Sequence, residues 1–75
     1  MRHTMRVLGR RGDTPVHWDP TDPGSVATAE VAFLAMRRAG MLAFKVTPGK
    51  ETEQLETFDP AAEEVLFTRP IAGGQ

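Results

Sequence analysis

Cysteine, tyrosine and asparagine are absent from this chain of 75 residues. The lack of cysteine excludes a disulfide framework and any zinc site with thiolate ligands. Two histidines, His3 and His17, have no clear third ligand, so we expect neither a metal nor a cofactor. A chain this short folds as one domain and buries only about 60% of the surface that its unfolded form exposes. We therefore expect one small core, helped by a partner or by self-association.

Long apolar segments are missing too. The hydrophobic runs are far too short to span a bilayer, and Met1-Arg2-His3 is not followed by the apolar stretch of a signal peptide. We therefore expect no membrane partner and a cytoplasmic location, or a virion-associated one if a phage encodes the chain. Seven arginines against two lysines, with nine alanines and one isoleucine, indicate a GC-rich bacterial or phage coding source.

Catalytic signatures are scarce, and we expect neither an enzyme nor a small-molecule substrate. Ser25 is the only serine. It falls in the first turn of a predicted helix, where serine forms local hydrogen bonds, and no triad accompanies it. The chain has no phosphate-binding loop, and Glu63 and Glu64 have no evident cleft. The sequence therefore offers no catalytic residue.

Alternating apolar residues predict a β-hairpin at the start of the chain. The two strands are expected over 5–10 and 15–19, because apolar and polar side chains alternate in both. The Gly-Asp pair within 11–14 is typical of a tight reversal between them.

A single helix is predicted over 23–39. Asp22 before Pro23 is a strong helix start, since the carboxylate accepts from free backbone N–H groups and proline tolerates the first helical position. Gly40 is well placed to end the helix. At about 100° per residue, one apolar stripe should cover a sheet. That stripe contains Val26, Ala29, Phe33 and Met36.

A second apolar stripe on the same helix consists of Ala27, Val31 and Leu34. A lone helix on one sheet has only one face to bury, so these residues are either exposed or covered by something else. Scattered surface apolar residues are common, and the chain termini can also fold over such a stripe. The alternative is a surface for self-association or for a protein partner.

The second half of the chain predicts three more strands, over 41–47, 52–58 and 64–69. A Pro-Gly turn separates the first two, and the polar middle strand is expected at a sheet edge, where charges deter unwanted pairing. An Asp-Pro pair predicts one helical turn at 59–62. The unbroken apolar run at 65–67 favours a last strand in the middle of the sheet, covered on both sides.

This layout, with a length of 75 and Gly73-Gly74 near the end, resembles ubiquitin and the wider β-grasp group. The resemblance covers the order of elements along the chain. It implies an α+β fold of order ββαββ(turn)β, in which a β-grasp-like mixed sheet packs against one helix. The domain is then expected over 1–69, followed by an extended tail over 70–75.

The same resemblance implies a use for the tail. In that group the final carboxylate is adenylated and passed to an acceptor amine, and an apolar sheet face docks partners. In this chain Gln75 follows Gly73 and Gly74, so a protease would have to expose Gly74. We therefore expect a small protein-interaction module. The most specific form of this hypothesis is a ubiquitin-like modifier or carrier.

Two alternatives remain open. The first is a structural or assembly subunit of a phage particle or another oligomeric complex, packed through the second stripe. The second, less favoured, is an accessory protein that binds nucleic acid, because arginines on a sheet with one aromatic residue can bind single strands. Against it stand the net charge of −1 and the lack of an aromatic ladder. The residues of this second alternative are Arg2, Arg6, Arg10, Arg11 and Trp18.

Overall fold

The computed structural model describes residues 2–8 and 15–69 of the chain. These residues form five strands and one helix, which confirms the predicted α+β class. The elements are β1 (His3–Val7), β2 (Val16–Trp18), α1 (Pro23–Arg38), β3 (Leu42–Val46), β4 (Glu53–Leu55) and β5 (Glu64–Thr68). The predicted reversal at 11–14 and the predicted tail at 70–75 lie outside the described residues.

The five strands form one mixed, β-grasp-like sheet in the order β2-β1-β5-β3-β4. β5 runs parallel to β1 and antiparallel to β3, which confirms the central position predicted for the last strand. β4 lies at an edge, also as predicted. The expectation that both sides of β5 are covered was wrong in part, because Val65 and Phe67 are buried whereas Leu66 is only half-buried.

The core lies between α1 and one face of the sheet. Strand alternation sends Met5 and Val7 of β1, and Val65 and Phe67 of β5, to that face, where all four are buried. Phe33 of α1 has no exposed surface, and its ring centroid is 5.5 Å from that of Phe67. The stripe predicted to cover the sheet is therefore confirmed.

Side-chain hydrogen bonds define the start of α1. The Asp22 carboxylate accepts from the Gly24 N–H at 3.1 Å, which confirms Asp22 as the N-cap. The Ser25 hydroxyl accepts from the Asp19 N–H at 2.9 Å and lies 3.0 Å from the Asp22 carbonyl oxygen. Ser25 thus has the local role that its position predicted, and it fastens the end of β2 to the helix.

Gly40 ends the helix as predicted. Its φ of 91° lies in the left-handed region that glycine favours, and its N–H donates to the Arg37 carbonyl at 2.9 Å. The Met41 N–H donates to the Met36 carbonyl at 3.1 Å. These two bonds form a Schellman motif, which satisfies carbonyl groups that the helix leaves without partners and turns the chain into β3.

The helical turn predicted at 59–62 is instead a β-turn. The Ala62 N–H donates to the Asp59 carbonyl at 3.0 Å, and no helix is assigned to this part of the described chain. The Asp59 carboxylate accepts from the Ala61 N–H at 3.0 Å. Asp22 makes the same bond to the backbone two residues ahead and caps α1, so an Asp-Pro pair is compatible with a helix start or with a β-turn.

Candidate functional site

The face of the sheet opposite α1 is covered by no described helix or strand. Because strand side chains alternate, the residues on this face are those between the core positions. We call it the open face. Its members are Thr4, Arg6, His17, Leu42, Phe44, Val46, Gln54, Glu64, Leu66 and Thr68.

An apolar strip runs through the middle of the open face. It consists of Leu42, Phe44 and Val46 of β3 and Leu66 of β5, which lies directly opposite Phe44. All four side chains are only half-buried. Leu8, which follows β1 and donates its N–H to the Phe67 carbonyl at 2.8 Å, is 53% exposed. The strip therefore leaves apolar surface in contact with solvent.

Polar groups lie beside this strip on β1 and β2. Arg6 donates two hydrogen bonds to Glu64 Oε2, at 2.7 Å and 3.2 Å, and His17 Nδ1 lies 3.0 Å from the Thr4 hydroxyl oxygen. These four residues line part of a shallow groove of about 410 Å³. Arg6 and Glu64 are paired with each other, and Glu63 adds a further carboxylate to the lining of the groove.

The second stripe of α1 is on the opposite side of the molecule. Val31 is 68% exposed, Leu34 is 47% exposed, and Ala27 is exposed as well. The helix thus keeps its second apolar stripe in solvent, as one of the two readings of the sequence allowed. A use of this surface for partners stays a prediction.

The burial of Trp18 contradicts the less favoured alternative in which it contributes to a nucleic-acid surface. Trp18 is on the core face with 1% of its surface exposed, and its Nε1–H donates to the Pro60 carbonyl at 2.9 Å. A buried indole offers no face to a nucleic acid base. Arg6 is paired with Glu64, Arg2 is exposed, and Arg10 and Arg11 lie outside the described residues.

The two histidines are on opposite faces of the sheet, although a position near each other was conceivable from the hairpin. His3 is paired with Trp18 on the core face, where its Nδ1–H donates to the Ala62 carbonyl at 2.6 Å. His17 is paired with Thr4 on the open face. Within residues 2–8 and 15–69, no three histidine or acidic side chains converge on a point where a metal ion would bind.

One charged cluster was not predicted from the sequence. Lys45 Nζ donates to Asp59 Oδ2 at 3.0 Å and lies 3.6 Å from Glu53 Oε1. The hydrogen bond from Lys45 lowers the pKa of the Asp59 carboxyl, and the hydrogen bond to Asp59 raises the pKa of Lys45. The cluster joins β3 to the turn after β4, so it has a structural role. Its signal in the sequence was weak, because the pairing depends on the register of β3 against β5.

The last strand ends next to the apolar strip. β5 ends at Thr68, which is opposite Leu42, and the exposed Arg69 follows it. Gly73, Gly74 and Gln75 lie outside the described residues.

Comparison with protein-family models, with curated proteins and with solved structures gives no match for this chain. The resemblance to the ubiquitin-like group stays a prediction that depends on element order and on Gly73-Gly74. In the part of the chain that the structure describes, no helix has the length and apolarity needed to cross a membrane.

Proposed function

We propose that this protein is a small, non-enzymatic interaction module that binds another protein through the open face. The observation that carries the proposal is the half-buried apolar strip of Leu42, Phe44, Val46 and Leu66, continued by the exposed Leu8. Removal of such apolar area from water favours association. A contiguous apolar patch with a polar rim is typical of a protein-binding surface.

The groups around the strip suit such contacts. Arg6 and Glu64 form an ion pair on the rim, and such pairs contribute more to orientation and selectivity than to affinity. Phe44 supplies an aromatic side chain at the centre, the type of residue on which binding energy concentrates. The open face therefore combines an apolar centre with a polar border.

A mutation at the centre of the strip tests the proposal. We expect Phe44→Glu to abolish partner recovery in affinity capture from native lysate, because it places a charge in the apolar centre. Ala35→Glu, on the exposed side of α1 and outside both candidate surfaces, is the matched control and should leave recovery unchanged. Circular dichroism should show that wild type and Phe44→Glu are both folded. If both then recovered the same amount of partner, the open face would not be the binding surface.

A more specific form of the proposal is that the module is a ubiquitin-like modifier or carrier. Hydrolysis of the bond before Gln75 would release Gln75 and expose the Gly74 carboxylate. Adenylation by ATP would then release pyrophosphate, and an acceptor amine would displace AMP. Intact-mass measurement of protein from its native cells should show loss of Gln75 and conjugates that disappear when residues 73–75 are deleted. An unchanged mass with no conjugates would limit the proposal to non-covalent binding.

The second candidate is a subunit of a symmetric assembly. Its supporting observation is the exposure of Val31 and Leu34 on the second stripe, which a second copy can bury through a two-fold contact. Native mass spectrometry should then show an oligomer that Leu34→Glu dissociates. A monomer at all concentrations in the micromolar range would exclude this candidate.

A further inference from the structure

The two edges of the sheet differ in the backbone groups that they leave free. The Thr4 N–H donates to the Glu63 carbonyl at 3.1 Å, and the Leu8 N–H donates to the Phe67 carbonyl at 2.8 Å. Even-numbered residues of β1 therefore direct their backbone groups toward β5. The odd-numbered residues must direct theirs toward β2, since backbone groups alternate along a strand.

The β2 edge is blocked by its own sequence. Val16 and Trp18 are opposite odd-numbered residues of β1, so their backbone groups face β1. The outward positions are Pro15, His17 and Asp19. Pro15 has no N–H, and the Asp19 N–H is bound to the Ser25 hydroxyl at 2.9 Å. The free N–H of His17 therefore lies between two positions that cannot donate, so an added strand could not continue its pairing on either side.

The same alternation determines which backbone groups of β4 face away from the sheet. Because the odd-numbered residues of β5 face β1, its even-numbered residues face β3, and Ala43 and Lys45 of β3 face β4. These two residues are opposite Leu55 and Glu53. Gln54 between them directs its N–H and carbonyl away from the sheet, where the strand order places no further strand. No proline interrupts 51–58.

The exposed charge along β4 is acidic. Glu51 and Glu56 flank the strand and Glu53 is within it, and the exposed Lys50 precedes Glu51, so the acids outnumber the base by three to one. The Glu53 and Glu56 side chains are 66% and 81% exposed, whereas the nearest cations, Lys45 and Arg37, are 25% and 27% exposed at 3.6 Å and 3.8 Å. A second copy of this edge would bring like charges together. An extended segment rich in arginine or lysine is attracted instead.

We propose that β4 binds an extended basic segment of a partner protein, which pairs with the backbone at Gln54 and adds a sixth strand to the sheet. Main-chain hydrogen bonds give affinity in such strand addition, and the alternating side chains give selectivity. Cations of the added strand that lie on the core side face Glu53. This inference adds a second contact area to the proposed interaction module, and it does not require the apolar strip.

The test uses a fluorescein-labelled peptide of seven residues in which arginine and valine alternate. Binding is followed by fluorescence anisotropy at 150 mM NaCl, with a peptide of alternating glutamate and valine for comparison. We expect saturable binding of the basic peptide and none of the acidic one. In amide-exchange measurements by NMR, the basic peptide should slow the exchange of the Gln54 N–H.

Gln54→Pro and Gln54→Ala form the matched pair of variants. Proline removes the outward N–H but breaks no bond to β3, and Glu53 before it is already extended, as proline requires. Alanine keeps the N–H. We expect Gln54→Pro to weaken binding by about fivefold to tenfold, the equivalent of one net hydrogen bond, and Gln54→Ala to bind within about twofold of wild type. Glu51→Lys should weaken binding through charge alone.

Equal binding by Gln54→Pro and Gln54→Ala would overturn the proposal, because the peptide would then bind to charge without strand pairing. Absence of binding up to millimolar peptide would overturn it as well. Leu66→Ala, which reduces the apolar strip on β5 and adds no charge, should leave peptide affinity within about twofold. The proposal for the apolar strip and the proposal for the β4 edge can therefore be refuted separately.

Discussion

Trp18 and His3 connect parts of the chain that are far apart in sequence. The Trp18 indole donates to the Pro60 carbonyl at 2.9 Å, and His3 donates to the Ala62 carbonyl at 2.6 Å. The Trp18 ring also packs on Phe58, with ring centroids 5.1 Å apart. Side chains of the first hairpin thus bind the carbonyls of the turn before β5, which helps to place β5 beside β1.

We expect Trp18→Phe to destabilise the fold by about 1–3 kcal/mol, because it removes core volume and leaves the Pro60 carbonyl without its donor. Urea unfolding followed by circular dichroism measures the change. In the wild type, Trp18 is the single tryptophan, so its fluorescence should be blue-shifted in the native state and red-shifted on unfolding. A wild-type emission maximum typical of water would contradict its burial.

Asp59 makes the stability sensitive to acid. Its folded-state pKa is lowered, chiefly by the hydrogen bond from Lys45, so its contribution is present above the ordinary value of 3.8 and lost as the pH falls through the lower folded value. Asp59→Asn should therefore be less stable than wild type at pH 7, and the two should converge below pH 3.8. Urea unfolding from pH 7 to pH 2 checks this. Lys45→Met should lack the part of the wild-type stability that is lost in acid. If the free energy of unfolding of wild type and of Asp59→Asn changed with pH in parallel, the prediction would be wrong.

At the scale of elements, the two ends of α1 and the turn after β3 depend on local chemistry. Gly49 has a φ of 79° and follows Pro48, and the Lys50 N–H donates to the Thr47 carbonyl at 3.0 Å. These features define a type II turn, which needs glycine at its third position. The connections on both sides of β3 therefore use glycine in a left-handed conformation.

Gly40→Ala should destabilise the protein by about 1–2 kcal/mol, the cost of a left-handed conformation for a residue with a Cβ. Apart from the adjacent residues, no atom lies within 4 Å of the position that the Cβ would take, so the cost comes from the local backbone and not from a clash with the rest of the protein. Gly24→Ala is the matched control and should be neutral or stabilising by up to about 1 kcal/mol, since its Cβ meets only an ordinary contact at 3.5 Å. Thermal unfolding measures both, and equal effects would contradict the role of φ.

Truncation of a side chain to alanine should cost far more stability on the buried side of α1 than on the exposed side. Phe33 is fully buried, whereas its neighbour Leu34 is 47% exposed. Phe33→Ala should cost about 3–5 kcal/mol, and Leu34→Ala should stay within about 0.5 kcal/mol in dilute solution. Denaturant unfolding of both variants at the same low protein concentration provides the measurement. A cost for Leu34→Ala close to that of Phe33→Ala would show that something covers the second stripe.

At the scale of the whole molecule, two apolar surfaces lie on opposite sides. The open face carries the apolar strip, and the far side of α1 carries the second stripe. If copies associate through the second stripe, mass action requires Tm to rise with protein concentration. We expect Leu34→Glu to remove that dependence and to leave Tm at low concentration unchanged. Scanning calorimetry over a hundredfold range of concentration measures it, and a dependence that survives Leu34→Glu would assign self-association to another surface.

Elements with strong local signals were predictable from the chain. Asp22 and Gly40 marked the ends of α1, the apolar spacing identified the stripe that covers the sheet, and the apolar run at 65–67 placed the last strand in the centre. The turn at 59–62 was mispredicted, because an Asp-Pro pair starts a helix and a β-turn equally well. Strand ends also differed, with β4 reduced to three of seven predicted residues.

The candidate sites depended on less local information. Trp18 was a candidate for a nucleic-acid surface because alternation shows which residues share a face without showing which face α1 covers. The pairing of Lys45 with Asp59 and the separation of His3 from His17 also depend on strand register. The second stripe, in contrast, was visible in the helical spacing alone, and its exposure agrees with a lone helix on one sheet.

Short-range chemistry along the chain thus specified the elements, their order and the amphipathic character of α1, since capping, turn preference and side-chain periodicity act over a few residues. Long-range pairing decided which sheet face is covered, which edge is blocked and which charges meet. That outcome depends on register between strands separated by up to about sixty residues, and a slip of one residue would invert the faces. The open face and the free backbone of Gln54 exist because that register is fixed by packing in the core.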